Sequence, residues 1–197
     1  LNMETNRRFF GSSFAPRGVF LPELCYDKAV GRLIARLGYR WIVLDEIAYD
    51  GKLDSVDFNK KYWDASTGLF VVFRNRTLSD MFFNLSLKTV YDFSHFIGEN
   101  LSPHCPLITA LDGENLGHHR HGMDKIYEGL VKSRQFGTLT FSELLGQLPK
   151  KKLTQSPKAS SWTSSAQELE KNNPYVLLND PTNLIHRLQW QVTSGTL

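Results

Sequence analysis

Apolar positions in this chain fall into short unbroken runs separated by stretches with helical spacing. Gly18-Val19-Phe20-Leu21-Pro22, Arg40-Trp41-Ile42-Val43-Leu44, Leu69-Phe70-Val71-Val72-Phe73 and Leu107-Ile108-Thr109-Ala110-Leu111 each hold about five residues with turn signals behind them, the pattern of buried parallel strands. Between the first two runs, residues 25–37 place Val30, Leu33, Ile34 and Leu37 on one helical face, with Lys28, Arg32 and Arg36 outward. Gly38 closes that helix. A second helical stretch spans 78–98, with Leu78, Phe82, Leu85, Val90, Phe93 and Ile97 apolar and Ser79-Asp80 at its start. A third spans 123–134, with Ile126, Leu130 and Val131 inward; 137–139 reads as a short strand and 142–145 as a helical turn. Residues 50–66 are polar and turn-rich, an excursion at the strand ends.

Strand, amphipathic helix, glycine and strand within about thirty residues is a right-handed crossover, hence parallel pairing. The expected class is α/β, an incomplete (β/α) barrel with parallel strands and helices outside, over residues 1–148. Residues 149–181 are rich in turn formers and are expected to form a loop-rich segment over the barrel mouth. Asp180 and Pro181 then open a C-terminal helix of about 182–193 within residues 182–197.

Every strand run ends in charge: Glu23, Asp45-Glu46, Arg74 to Arg76, and Asp112 to Glu114. In parallel α/β folds the carboxyl ends of the strands meet the substrate. Two carboxylates delivered there, about 5–5.5 Å apart, are what retaining cleavage of a glycosidic bond requires. Glu23 and Asp112 are the candidate pair, and Gly113 lets Glu114 reach the same mouth. Further candidates for holding sugar are His118 and His119, together with Arg120 and His121, and the strand-end groups Asp45 and Arg74. Trp41, Phe20 and Tyr26 offer aromatic faces. The histidines also admit a rival reading as a metal-dependent hydrolase of the carbohydrate deacetylase kind. The i, i+4 histidine pair with an intervening Glu is absent, however, and Gly117 and Gly122 mark a loop.

Composition narrows the field. The chain has 197 residues, 41% hydrophobic and 22% charged, with a net charge of +3, ordinary for a globular domain. Lys150-Lys151-Lys152 is a compact basic run without interleaved aromatics, so no nucleic-acid partner is expected. No run approaches 18 apolar residues and the first residues lack a signal-peptide pattern, so no membrane partner is expected either. Cys25 and Cys105 make no disulfide framework, and the expected compartment is the cytoplasm. The paired-carboxylate chemistry calls for no cofactor and no metal.

The residues themselves carry a resemblance. Gly18-Val19-Phe20-Leu21-Pro22-Glu23, then a helix, then Tyr39-Arg40-Trp41-Ile42-Val43-Leu44-Asp45-Glu46, resembles glycoside hydrolase family 57. Ala110-Leu111-Asp112-Gly113-Glu114-Asn115-Leu116-Gly117 is similar to that family's Asp-Gly-Glu-x-x-Gly segment. Phe73 to Arg76 with Leu78-Ser79-Asp80, Ser160-Ser161-Trp162, and Asn172-Asn173-Pro174-Tyr175 extend the similarity over about residues 16–193. The resemblance implies a seven-stranded barrel and retaining cleavage or transfer of α-glucosidic bonds, of the α-amylase or 4-α-glucanotransferase type. The substrate would be an α-glucan or maltooligosaccharide. Glu23 would be the nucleophile and Asp112 the acid/base. The family's opening His-Gln-Pro motif and its Gly-Gln/Glu-rich motif are absent, and His118 and His119 stand where many members have an aromatic residue. The chain is therefore expected to be a fragment, inactive or a carbohydrate binder alone, and reliant on the missing N-terminal part as partner.

Overall fold

A computed structural model describes residues 2–84, 86–100, 105–133 and 135–196. Among the described residues five strands form one sheet in the order β1-β2-β4-β3-β5. They are β1 (Gly18–Phe20), β2 (Trp41–Asp45), β3 (Lys61–Asp64), β4 (Leu69–Arg74) and β5 (Lys150–Lys152). β1, β2 and β4 run parallel, with Gly18 opposite Trp41 and Trp41 opposite Phe70. β3 is antiparallel to β4 and parallel to β5. The fold is thus mixed α/β with a mostly parallel sheet.

Both faces of β2 and β4 are covered, which is why their sequences read as continuous apolar runs. The two-residue period of a strand sends Ile42, Leu44, Val71 and Phe73 into one core with Tyr26, Ile34, Tyr62 and Leu69. Val72 goes to the other face, with Ile108, Leu144 and Leu145 and the flanking rings of Trp41, Phe70 and Phe141. Gly18 is a steric requirement of this pairing, since a Cβ there would lie 2.0 Å from Cε2 of Trp41.

Helix α1 (Asn2–Phe10) precedes the sheet, and α2 (Lys28–Arg36) makes the crossover from β1 to β2. The Asp27 carboxylate accepts from the Val30 N–H at 2.7 Å, capping α2, and Gly38 leaves it in the left-handed region at φ +89°. The face that packs on the sheet is Val30, Gly31 and Ile34. Leu33 and Leu37, expected inward, are exposed, since the buried face of the helix runs through Gly31 and Ile34 instead.

The expected helix over 78–98 is two helices, α3 (Arg76–Phe83) and α4 (Val90–Asn100), with Leu85 outside the described residues. Asn75, rather than Ser79, caps α3, accepting from the Leu78 N–H at 2.7 Å. α3 and α4 pack with α5 (Met123–Lys132) around Leu78, Phe82, Phe93, Met123 and Leu130, while Val131 is exposed. The turn expected at 142–145 is the longer α6 (Phe141–Gln147), opened by a Thr140–Glu143 capping box. Helices α7 (Ala166–Glu170), α8 (Val176–Asn179) and α9 (Leu184–Thr196) follow β5.

Two expected strands are absent from the sheet and two unexpected ones are present. Residues 107–111 form no ladder. Their extended backbone meets the end of β4 through Asn75 N–H to the Ile108 carbonyl, 2.7 Å, and is otherwise engaged by side chains. Residues 137–139 are irregular. Conversely, the polar excursion at 50–66 contains β3, and the lysine run at 150–152 is β5. Four residues beside a turn, and three exposed lysines, carry too little apolar alternation to read as strands. Lysine is nonetheless suited to a sheet edge. The Lys150 ammonium lies 4.4 Å from the Trp63 ring centroid, so the aromatic faces of β3 hold the strand. Among the described residues no helix is long and apolar enough to cross a membrane.

Candidate active site

At the carboxyl ends of β1, β2 and β4 lies a cavity of about 220 Å³. Glu23, Arg74, Asp80, Asp112, Asn115 and Trp162 line it, with Phe83 and Thr163 at its margins.

Glu23 reaches it from the turn after β1. Pro22 opens a 3-10 turn in which Glu23 has φ 55° and ψ 12°, and Leu24 follows at φ 47°. Two successive side-chain-bearing residues in the left-handed region cost of order 1–3 kcal/mol each. Neighbouring bonds hold the turn there: Leu24 N–H to the Leu21 carbonyl, Cys25 N–H to the Pro22 carbonyl, and Trp162 N–H to the Glu23 carbonyl, at 3.0, 3.0 and 3.1 Å. The carboxylate is oriented separately. Its Oε2 accepts the Trp162 indole N–H at 2.6 Å.

Trp162 arrives on a loop tied down from several sides. Tyr26 and Ser160 exchange backbone bonds of 2.9 and 3.0 Å, and Arg76 donates to the Ser164 carbonyl at 2.7 Å. The indole also carries the Arg74 guanidinium at 5.1 Å and meets Phe20 edge-on at 6.2 Å.

Asp112 reaches the cavity from the other wall, at the end of the extended segment. The buried Arg74 guanidinium sets that segment by donating from Nη1 to the Ala110 carbonyl at 2.8 Å, while the Ala110 N–H donates to Ser79 Oγ at 3.3 Å. Asp112 itself is exposed, and among the described residues its carboxylate makes no hydrogen bond. One carboxyl group is therefore pinned and the other exposed without a partner among the described residues.

Asp45 does not face the cavity. It is fully buried, its Oδ2 accepting from Arg74 Nε at 2.7 Å and its Oδ1 from Arg76 Nη2 at 2.6 Å and the Ile47 N–H at 3.1 Å. Glu46 is likewise internal, accepting from the Arg76 and Asp54 N–H groups at 2.7 and 2.8 Å, and burial pushes its pKa up against those bonds. Both acids at the end of β2 thus brace the arginines that shape the cavity. Asp45→Ala removes the carboxylate that pairs the buried Arg74 and the part-buried Arg76 and is expected to cost about 3 kcal/mol of stability, read as a lower urea midpoint.

The remaining expected residues divide. Arg74 lines the cavity. Trp41 packs at the opposite end of β2, its ring 4.9 Å from Phe141 and its indole N–H buried without a partner among the described residues. Glu114, His118 and His119 are exposed and do not line the cavity, with His119 Nε2 3.3 Å from Glu114 Oε2. Among the described residues no group of three or more His, Cys, Asp or Glu side chains is placed to share a metal ion.

Trp162, Asp80 and Asn115 were not among the expected site residues. Trp162 lies in a segment marked by the family resemblance, and Asn115 in the Asp-Gly-Glu segment. Asp80 reads in sequence as a helix-start charge, yet α3 begins four residues earlier and carries it to the cavity. Burial raises the Asp80 pKa, opposed by the nearby Arg74 and Arg76.

The sequence model of Glycosyl hydrolase family 57 matches residues 1–157. The chain belongs to glycosyl hydrolase family 57. No curated protein sequence matches it. Solved structures share the family 57 chain's fold at low identity. The novel exo-type maltose-forming amylase of Pyrococcus sp. ST04 superposes with a TM-score of 0.62 at 18% identity, over 82% of this chain and 31% of that one. The GH57-type branching enzyme of the hyperthermophilic archaeon Pyrococcus horikoshii gives 0.60 at 16%, over 81% and 42%. The 4-alpha-glucanotransferase of Thermococcus litoralis gives 0.57 at 12%, over 81% and 27%. This family 57 chain therefore spans less than half the length of each of these three.

Proposed function

We propose that the protein carrying this chain cleaves or transfers α-glucosidic bonds with retention, Glu23 acting as nucleophile and Asp112 as acid/base. The observation that carries the reading is that these two carboxyl groups, 89 residues apart in sequence, line one cavity, with Glu23 pinned and Asp112 unbonded. Glu23 attacks the anomeric carbon as Asp112 protonates the leaving oxygen, giving a glycosyl ester on Glu23. Asp112, now a carboxylate, takes a proton from water or from an acceptor sugar hydroxyl, which displaces Glu23 and restores the starting configuration.

On this reading the sheet is one part of a (β/α) barrel, and residues 149–181 cover its mouth, contributing Trp162 and Thr163 to the cavity. An adjoining trough of about 310 Å³ shares Ala110 to Asp112 and offers the Phe20 and Tyr127 rings to further sugar units. The unpaired Cys25 and Cys105 accord with a cytoplasmic enzyme, and burial followed by the Glu23 charge pushes the Cys25 thiol up, away from reactivity.

Incubation with maltooligosaccharides, following product anomers by NMR and chain length by chromatography, tests the proposal. Products released in the α configuration support it, and β products overturn it. Longer as well as shorter chains would identify a sugar as the acceptor. Trp162→Phe keeps the ring but removes the donor to Glu23. It is expected to lower kcat about tenfold with KM and the thermal midpoint little changed.

A further inference from the structure

We infer that Arg74 is a positioning residue, which sets Glu23 and Asp112 in register with one another through a neighbour of each. This rests on the reading of the cavity as a glycoside-cleaving site. Arg74 ends β4, lines the cavity and is only 4% exposed. Its Nε donates to Asp45 Oδ2 at 2.7 Å and its Nη1 to the Ala110 carbonyl at 2.8 Å. Two bonds from one rigid planar group to two separate segments fix the plane of the guanidinium. Held there, it lies 5.1 Å from the centre of the Trp162 ring, and the same indole donates to Glu23 Oε2 at 2.6 Å. Nη2 makes no hydrogen bond among the described residues and lies 4.0 Å from Asp80 Oδ1, whose carboxylate balances its charge.

The two carboxyl groups of the proposed reaction are thus tied to one side chain. On one side the guanidinium holds the carbonyl two residues before Asp112. On the other it carries the indole that orients Glu23, and a cation over the ring polarises the indole N–H into a stronger donor. Retention needs the carboxyl groups about 5–5.5 Å apart, and a misplacement of about 1 Å can cost on the order of 10²-fold in rate. Lysine brings the charge to Asp45 but has neither the flat face nor the fixed second donor.

The test is Arg74→Lys, followed by NMR and by turnover of maltotriose and a nitrophenyl α-glucoside. The Trp162 indole N–H signal, identified by its loss in Trp162→Phe, should move upfield. The Leu111 amide nitrogen, which reports the bond at the Ala110 carbonyl, should move with it. The indole signals of Trp41, Trp63 and Trp190 should stay in place and so record an intact fold. The kcat should fall about 10²-fold on both substrates with KM little changed, more than in Trp162→Phe because both carboxyl groups are displaced. If the lysine variant unfolds, Arg74→Met in an Asp45→Asn background leaves no buried carboxylate to pair, and takes the same measurements against Asp45→Asn alone. Unmoved Trp162 and Leu111 signals, or a kcat equal to the parent's, overturn this inference and leave the glycosidase reading standing. A parent that turns over neither substrate counts against that reading, and the two NMR signals then decide the coupling by themselves.

Discussion

Replacing Glu23 by Gln is expected to lower turnover of α-glucans by on the order of 10³-fold or more, about 4 kcal/mol in the barrier. An amide oxygen does not form the glycosyl ester, so the first half of the double displacement has no nucleophile. The change is nearly isosteric, and the Gln carbonyl can still accept the Trp162 indole N–H. The strained turn at residues 23 and 24 is unaltered, because both side chains place the same demand on a left-handed backbone. The unfolding midpoint should therefore stay where it is while activity is lost. A second variant makes the test positive. In Glu23→Ala the vacated space admits azide, which should attack the anomeric carbon from the nucleophile's side and give a β-glucosyl azide from an α-linked substrate. Near-normal activity in Glu23→Gln would end the assignment of this residue.

Asp112→Asn should act differently because its task depends on the leaving group. The Asn side chain donates no proton, so a glucan whose leaving oxygen needs protonation should react on the order of 10²- to 10⁴-fold more slowly. A fluoride or nitrophenyl glucoside leaves without that proton, and its first step should be largely spared. The second step still needs a base to activate water. With activated substrates the glycosyl ester on Glu23 should then accumulate, visible as a burst of released phenol and as an added sugar mass on the intact protein. Because Asp112 is exposed and makes no side-chain hydrogen bond among the described residues, the substitution should cost the fold almost nothing. Equal losses on natural and activated substrates would remove Asp112 from the acid/base role.

Local pattern alone was sufficient wherever burial on both faces or a single helical face wrote itself into consecutive residues. The apolar runs at 18–22, 40–44 and 69–73 are strands β1, β2 and β4, and Gly38 ends α2. Family membership was likewise legible, carried by two short segments around Glu23 and Asp112. The run at 107–111 looked like the others, yet it makes no ladder. Apolar composition reports burial and not hydrogen bonding, and here the Ala110 carbonyl and N–H bond Arg74 and Ser79 rather than a neighbouring strand.

What the linear order of residues determined is which short stretches are buried and where charge is delivered at their ends. Only the tertiary structure decided which charges do chemistry and which hold the site together. Asp45 and Glu23 are both acids at the end of a strand, but Asp45 turns inward to two arginines while Glu23 turns outward to an indole. That indole lies 139 residues further along the chain. Periodicity encodes each residue's relation to its nearest turn or strand face, whereas a contact across such a distance exists only once loop closure and packing have brought the two segments together.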